Sequence, residues 1–249
     1  LKFADAFREF TNSDIRCTII SNFKSNDALY DIFHRLNSGS VPLSTQELRQ
    51  VLHKGPFADY LIKITESSQP IHKVLGTIGP DARLKDVEII LRFIAVSRFG
   101  NRYQGNLKRF LDDTMEEITK NWKNEKPEVD KIYADLNLAI QNLINIFGEN
   151  LVGRKFVDGD WEPRFNRVLF EVEAYYLAQI SSDLIKAKKK RFLTEFQNLF
   201  SDNINFRESV EATTKTNDRY QLRFQTFLSL VNKVFGTNLT KIPITAKSK

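Results

Sequence analysis

Apolar residues recur along most of this chain at the three- and four-residue spacing of a single helix face. The stretch "ARLKDVEIILRFIAVSR" aligns Leu84, Val87, Leu91 and Ile94, and "FNRVLFEVEAYYLAQI" aligns Phe165, Leu169, Val172, Tyr176 and Ile180. "KRFLTEFQNLF" does the same with Phe192, Phe196 and Leu199 or Phe200. "RYQLRFQTFLSLVNKVFG" places Tyr220, Phe224, Phe227, Val231 and Val234 on one stripe, with Gly236 where a helix stops. Alternating or β-branched runs are scarce. Only "IRCTII", Ile15 to Ile20, reads as a strand, bounded by Asn12-Ser13-Asp14 and Ser21-Asn22. A lone strand is not stable in water, so its partners are expected from a segment before Leu1 or from another chain.

Breaks in the pattern fall at residues 67–82, 121–130 and 148–163, and a polar tail follows Thr240. The fold expected is mainly α: a multi-helix domain preceded by the remnant of an α/β subdomain. The division expected is a mixed segment over 1–68, a helical domain over 69–240 and a tail over 241–249.

Composition narrows the class. The 249 residues are 41% hydrophobic, enough for a substantial core, and the twenty phenylalanines fall mostly on the helix stripes. Cys17 is the only cysteine, which excludes an intrachain disulfide framework and fits a reducing, cytoplasmic setting. The most apolar run, "VEIILRFIAV", is interrupted by Arg92, so no membrane span is expected. A net charge of +6 and a pI near 9.3 favour an acidic partner, with DNA first. The densest basic run is Lys186, Lys188, Lys189, Lys190 and Arg191, the candidate contact with nucleic-acid phosphates, set against a plain solvated helix face. A second cluster, Arg98, Arg102, Lys108 and Arg109, is blunted by the carboxylates that follow it.

The most polar corner is "FHRLNSGSVPLSTQELR", Phe33 to Arg49. A helix over 27–37 would end at Gly39, and Ser44 with Glu47 has the spacing of a capping box opening the next helix. Caps account for Ser38, Gly39, Pro42, Ser44 and Glu47. They leave Arg35, Asn37, Gln46 and Arg49 unexplained, and a helix N-terminus beside two arginines suits a phosphate. The candidate nucleotide- or phosphate-binding set is therefore Arg35, Asn37, Ser38, Gly39, Gln46 and Arg49, with a purely architectural corner as the alternative.

This corner resembles the signature F-x-R-L-N-x-G-G-x-x-L-x-x-x-E-L-R-N of GmrSD-type, modification-dependent restriction endonucleases, in their N-terminal domain. Phe33, Arg35, Leu36, Asn37, Gly39, Leu43, Glu47, Leu48 and Arg49 match; Ser40 and Gln50 depart from it. "RLKDVEIILRFIA", Arg83 to Ala95, is similar to the family's R-x-x-D-x-E-x-x-L-R-F-x-A segment. The resemblance implies a ParB/sulfiredoxin-like α/β half, whose D-G-Q-x-R motif this chain lacks, so the piece is similar to the later part of such a protein. It also implies a nucleoside triphosphate with Mg in the full-length protein, DNA as partner, and a missing N-terminal segment or partner nuclease subunit.

Other chemistries find little support. His34, His53 and His72 are too far apart in sequence to share a helical turn, so an HNH centre is not expected, nor any metal site. There is no P-loop and no G-x-S-x-G elbow. Glu171 and Glu173 fall on different helix faces, and Asp86 and Arg92 are expected to pair with other buried polar groups. Trp122 and Trp161 are expected to anchor loops rather than to stack on bases. The function the resemblance implies is part of a bacterial restriction or phage-defence protein that couples nucleotide binding to DNA recognition, catalytically incomplete in this chain. The alternatives are a non-catalytic helical nucleic-acid-binding module or a subunit-docking module.

Overall fold

The structure, a computed structural model, describes residues 2–14, 17, 19, 21, 28, 32, 35, 42–212 and 214–242. It divides into two compact units, Leu1–Pro42 and Leu43–Lys249, so residues 43–68 belong to the helical unit and the division falls well before position 68. Among the described residues there are eleven α-helices and one two-residue hairpin, a mainly α, multi-helix protein. None of these helices is long and apolar enough to cross a membrane.

In the first unit, helix α1 spans Lys2–Thr11. It leaves Phe3, Phe7 and Phe10 exposed, and Thr11 and Ser13 donate back to carbonyls of its last turn. The strand expected over 15–20 lies mostly outside the described residues. Of the helix expected over 27–37, Ala28, Ile32 and Arg35 are helical and the rest lies outside them.

The second unit is built on two helices buried almost all round, α5 (Lys85–Phe99) and α8 (Arg167–Leu177). The stripe Val87, Leu91 and Ile94 is buried as expected, but so are Ile89, Ile90, Phe93, Ala95 and Val96. A helix apolar on every side belongs in the middle of a core, where all its faces meet other helices. Around this pair lie α2 (Thr45–Leu52), α3 (Pro56–Thr65), α4 (Pro70–Leu75) and α6 (Leu107–Lys120). The shell is completed by α7 (Trp122–Phe147), α9 (Ser182–Asp202), α10 (Ile204–Glu211) and α11 (Asn217–Phe235). Gly236, at φ +71°, ends α11 in the left-handed region that favours glycine.

Two of the expected breaks look different in the structure. The break at 121–130 reduces to a single junction, Asn121, after which α7 runs straight through Pro127. Proline there forfeits one hydrogen bond in the second turn. The packing outweighs it: Trp122 sits 5.8 Å from Phe57 and 5.2 Å from Tyr60, whose hydroxyl donates to Asp130 at 2.8 Å, and Val129 is fully buried. The break at 148–163 holds the hairpin, strands β1 (Phe156–Val157) and β2 (Asp160–Trp161). Asp158 and Gly159 both have positive φ, the geometry of a tight Asp-Gly hairpin turn. Trp161 stacks on Phe196 of α9 at 5.9 Å and meets Phe147 edge-on, so it anchors the 148–163 segment to the core, whereas Trp122 packs as the first residue of α7 itself.

Candidate functional site

The polar corner closes on itself. Ser44 caps α2 by accepting from Glu47 N–H, and Glu47 answers by accepting from Ser44 N–H at 2.6 Å. The same Glu47 carboxylate accepts from Arg83 Nε at 2.9 Å, and Ser44 Oγ donates to the Arg83 carbonyl. These backbone and guanidinium contacts hold the Glu47 carboxyl below its usual range, against the opposing effect of burial. The two stretches that carry the family resemblance therefore meet at one junction, Ser44–Glu47–Arg83. Leu84, at φ +55°, turns the chain into α5, and Asp81 steadies the bend by accepting from the Arg83 and Lys85 amides.

Gln46 and Arg49 point into the protein. Arg49, 1% exposed, donates from Nε to Asp112 of α6 at 2.6 Å and from Nη1 to Gln46 Oε1 at 2.7 Å. Gln46 is fully buried. Arg49 is thus turned inward, to Asp112 of α6 and to the Gln46 carbonyl oxygen, and fastens α2 to α6, while the buried Gln46 amide nitrogen has no partner among the described residues. Arg35 is exposed on a helical residue and has an interaction partner. Asn37, Ser38 and Gly39 lie outside the described residues.

The Arg83–Ala95 stretch supplies two more buried polar links. His72 is fully buried; its Nδ1 accepts from the Gln69 amide, which leaves Nε2 to donate to Asp86 Oδ2 at 2.9 Å. Asp86 also accepts from the Asp81 and Val87 amides, tying α4, the 76–84 turn and α5 together. Six residues on, Arg92 donates from Nε to Glu171 of α8 at 2.9 Å. Glu171 also receives Arg223 Nη2 of α11 at 3.4 Å. Glu88, on the outer side, lies 3.6 Å from Arg92 and 2.8 Å from Arg167. The result is a chain of charges, Arg167–Glu88–Arg92–Glu171–Arg223, running from surface to core.

Burial works against the charge on Arg92, yet Glu171 and Glu88 outweigh it and hold its guanidinium above the usual value. Arg223 is pulled below it by burial, with Glu171 opposing and Arg92 adding to the effect. Guanidinium is the cation best able to remain charged in such a place. Asp86 and Arg92 are thus paired inside the fold, and Glu171 and Glu173 do face different ways. Glu173 is fully buried, accepts among the described residues only from the Gly153 amide at 3.1 Å, and has its carboxyl pushed up to about 8 by burial.

Beside this network a cleft of about 570 Å³ is lined by Arg92, Lys155, Arg164 and Arg167 on the positive side and by Glu162 and Glu211 on the negative. Lys155 is engaged by both of those carboxylates at 2.8 Å.

The basic run on α9 splits in two. Lys188 Nζ donates to the Phe235 carbonyl at 3.1 Å, and Arg191 lies 3.5 Å from the Lys233 carbonyl. These two side chains close the C-terminus of α11, whose last carbonyls have no helical partner. Lys186, Lys189 and Lys190 are exposed, and their spacing of three and four residues puts them on one face of α9. Among the described residues the carboxylate within ion-pair reach of this row is Asp183, 3.7 Å from Lys186 with both side chains in water.

Arg223 of the buried network was not anticipated. Arg223 stands among aromatic residues of an otherwise amphipathic helix, and the carboxylates of "VLFEVEAYYL" stand in an apolar one. Such misfits are the signal a sequence offers for buried ion pairs. Among the described residues no group of three or more His, Cys, Asp or Glu is arranged to hold a metal ion. The chain matches no protein-family model, no curated protein and no solved structure.

Proposed function

We propose that this chain is a nucleic-acid-contacting part of a bacterial DNA restriction or phage-defence protein, similar to the GmrSD type, and that the α9 face makes the contact. The observation that carries this reading is the row Lys186, Lys189 and Lys190: three ammonium groups on one helix face, exposed, with one weak acidic neighbour among them. Exposed pairs of that kind are worth little, so the lysines keep their charge available for phosphates and for the release of condensed counterions. Support for the restriction context comes from the junction of Glu47 with Arg83, which joins the two family-like stretches.

On this reading DNA cleavage, a nucleoside triphosphate and its Mg belong to parts of the protein other than the α2 corner, where Gln46 and Arg49 are engaged inward. Fluorescence anisotropy on labelled duplex DNA tests the assignment. The triple variant Lys186→Ala/Lys189→Ala/Lys190→Ala is expected to weaken binding at least about tenfold at low salt, the scale of losing several phosphate contacts. Lys188→Ala is expected to lower stability with little change in affinity. Wild-type affinity in the triple variant would remove the assignment.

A further inference from the structure

A cavity of about 50 Å³ lies where α5, α6, α8 and α11 meet, walled in part by Arg92, Tyr103, Phe110, Glu171, Tyr220 and Arg223. Two donors of its lining residues have no acceptor among the described residues: Arg223 Nε–H and the Tyr220 hydroxyl, on residues 2% and 1% exposed. The other nitrogens of Arg223 are occupied, Nη1 by the Thr214 carbonyl at 2.8 Å and Nη2 by Glu171. Tyr220 is held in place by rings on both sides, Tyr103 at 4.5 Å and Phe224 at 4.6 Å. The open donors are therefore fixed features of the wall.

The charges around the cavity do not balance. Arg92 and Arg223 share the single carboxylate of Glu171, and Glu88 is divided between Arg92 and Arg167. Arg167 is half-exposed and, like Glu88, lies off the cavity wall; on the wall itself the two buried guanidinium groups of Arg92 and Arg223 face the single carboxylate of Glu171, which leaves one positive charge over. Water would satisfy the open donors and leave that charge unmatched; an anion satisfies both, and buried charges are retained where they are paired and hydrogen-bonded. The space suits about four waters, on the scale of a halide or a carboxylate head and far below a nucleotide.

We propose that this cavity is a binding site for a compact monoanion, a halide or the carboxylate head of a small organic acid, held by Arg223 Nε–H and Tyr220 O–H with Arg92 supplying charge. Arg92, Val168 and Thr214 line both this cavity and the larger cleft, where Lys155, Arg164 and Arg167 add positive charge. The site is separate from the α9 lysine face and stands whether or not that face meets DNA.

Thermal melts of the full chain at fixed ionic strength test it, replacing sodium gluconate, too large for the cavity, by sodium chloride, bromide or acetate. The melting temperature is expected to rise and saturate with at least one of them. Saturation by halide alone assigns an inorganic ion, and saturation by acetate alone assigns a carboxylate. Tyr220→Phe, which removes one donor and keeps the ring, is expected to shift the half-saturating concentration upward about tenfold, the scale of one hydrogen bond to a charged group, with the fold intact by circular dichroism. Crystals grown in bromide are expected to show an anomalous peak beside Arg223 Nε. No salt-specific saturation, or an unchanged midpoint in Tyr220→Phe, overturns the proposal and makes the cavity a water site.

Discussion

The buried interior of the helical unit and the outer face of α9 both carry positive charges, and they use different residues. Inside, the cations are arginines: Arg49, Arg92 and Arg223, each fixed by a carboxylate on a different helix. Outside, on α9, they are lysines: Lys186, Lys189 and Lys190, exposed to water. A guanidinium is weakly hydrated and forks onto carboxylates, so it survives burial; an ammonium is strongly hydrated and stays at the surface. The contrast teaches that an arginine in a polar motif is as readily a strut as a ligand, whereas a lysine row with few acidic neighbours has no structural partner to explain it.

The sharpest way to break the contrast is to remove the shared carboxylate. Glu171→Ala leaves Arg92 and Arg223 buried without their common partner and is expected to lower stability by about 3–5 kcal/mol in urea denaturation. A loss near zero would mean the interior arginines behave like surface ones. Glu173, a buried carboxyl with no cationic hydrogen-bond partner, sharpens the comparison through pH. Its folded value of about 8 lies above the ordinary carboxyl value of 4.5, so the folded state binds the extra proton. The contribution of Glu173 to stability is then fully present below the ordinary carboxyl range and is lost as pH rises from about 4.5 toward 8. The fall contributed by this group is on the order of 5 kcal/mol. Glu173→Gln is expected to flatten that slope in melts across the same window.

Arg49→Lys ranks next. It keeps the charge and loses the fork that spans Asp112 and Gln46, with an expected loss of about 1–2 kcal/mol. Unchanged stability would return Arg49 to the pool of ligand candidates. Lys189→Ala is expected to shift stability by less than about 0.5 kcal/mol, as for an exposed residue without a tertiary partner.

Much of the fold was legible because helix periodicity is a local property. The stripes on α5, α8, α9 and α11, the capping box of Ser44 with Glu47, and the stop at Gly236 can all be read within a few residues. What was not legible depends on partners far along the chain. Arg49 meets Asp112, 63 residues away, and Arg92 meets Glu171, 79 residues away, so spacing alone could not tell a strut from a phosphate ligand. Pro127 misled for the same reason: the break it signals is overridden by Trp122 packing on Phe57 and Tyr60. In the basic run, local sequence could not separate Lys188 and Arg191, which face the end of α11, from the three lysines that face water.

The most direct test of the lysine face is the salt dependence of duplex DNA binding, measured for the wild type and for the Lys186→Ala/Lys189→Ala/Lys190→Ala variant. Each phosphate neutralised contributes a slope of about −0.9 in log K against log salt. The account predicts that the variant's slope is shallower by about 2–3, with an unchanged melting temperature. Equal slopes in the two proteins would contradict it.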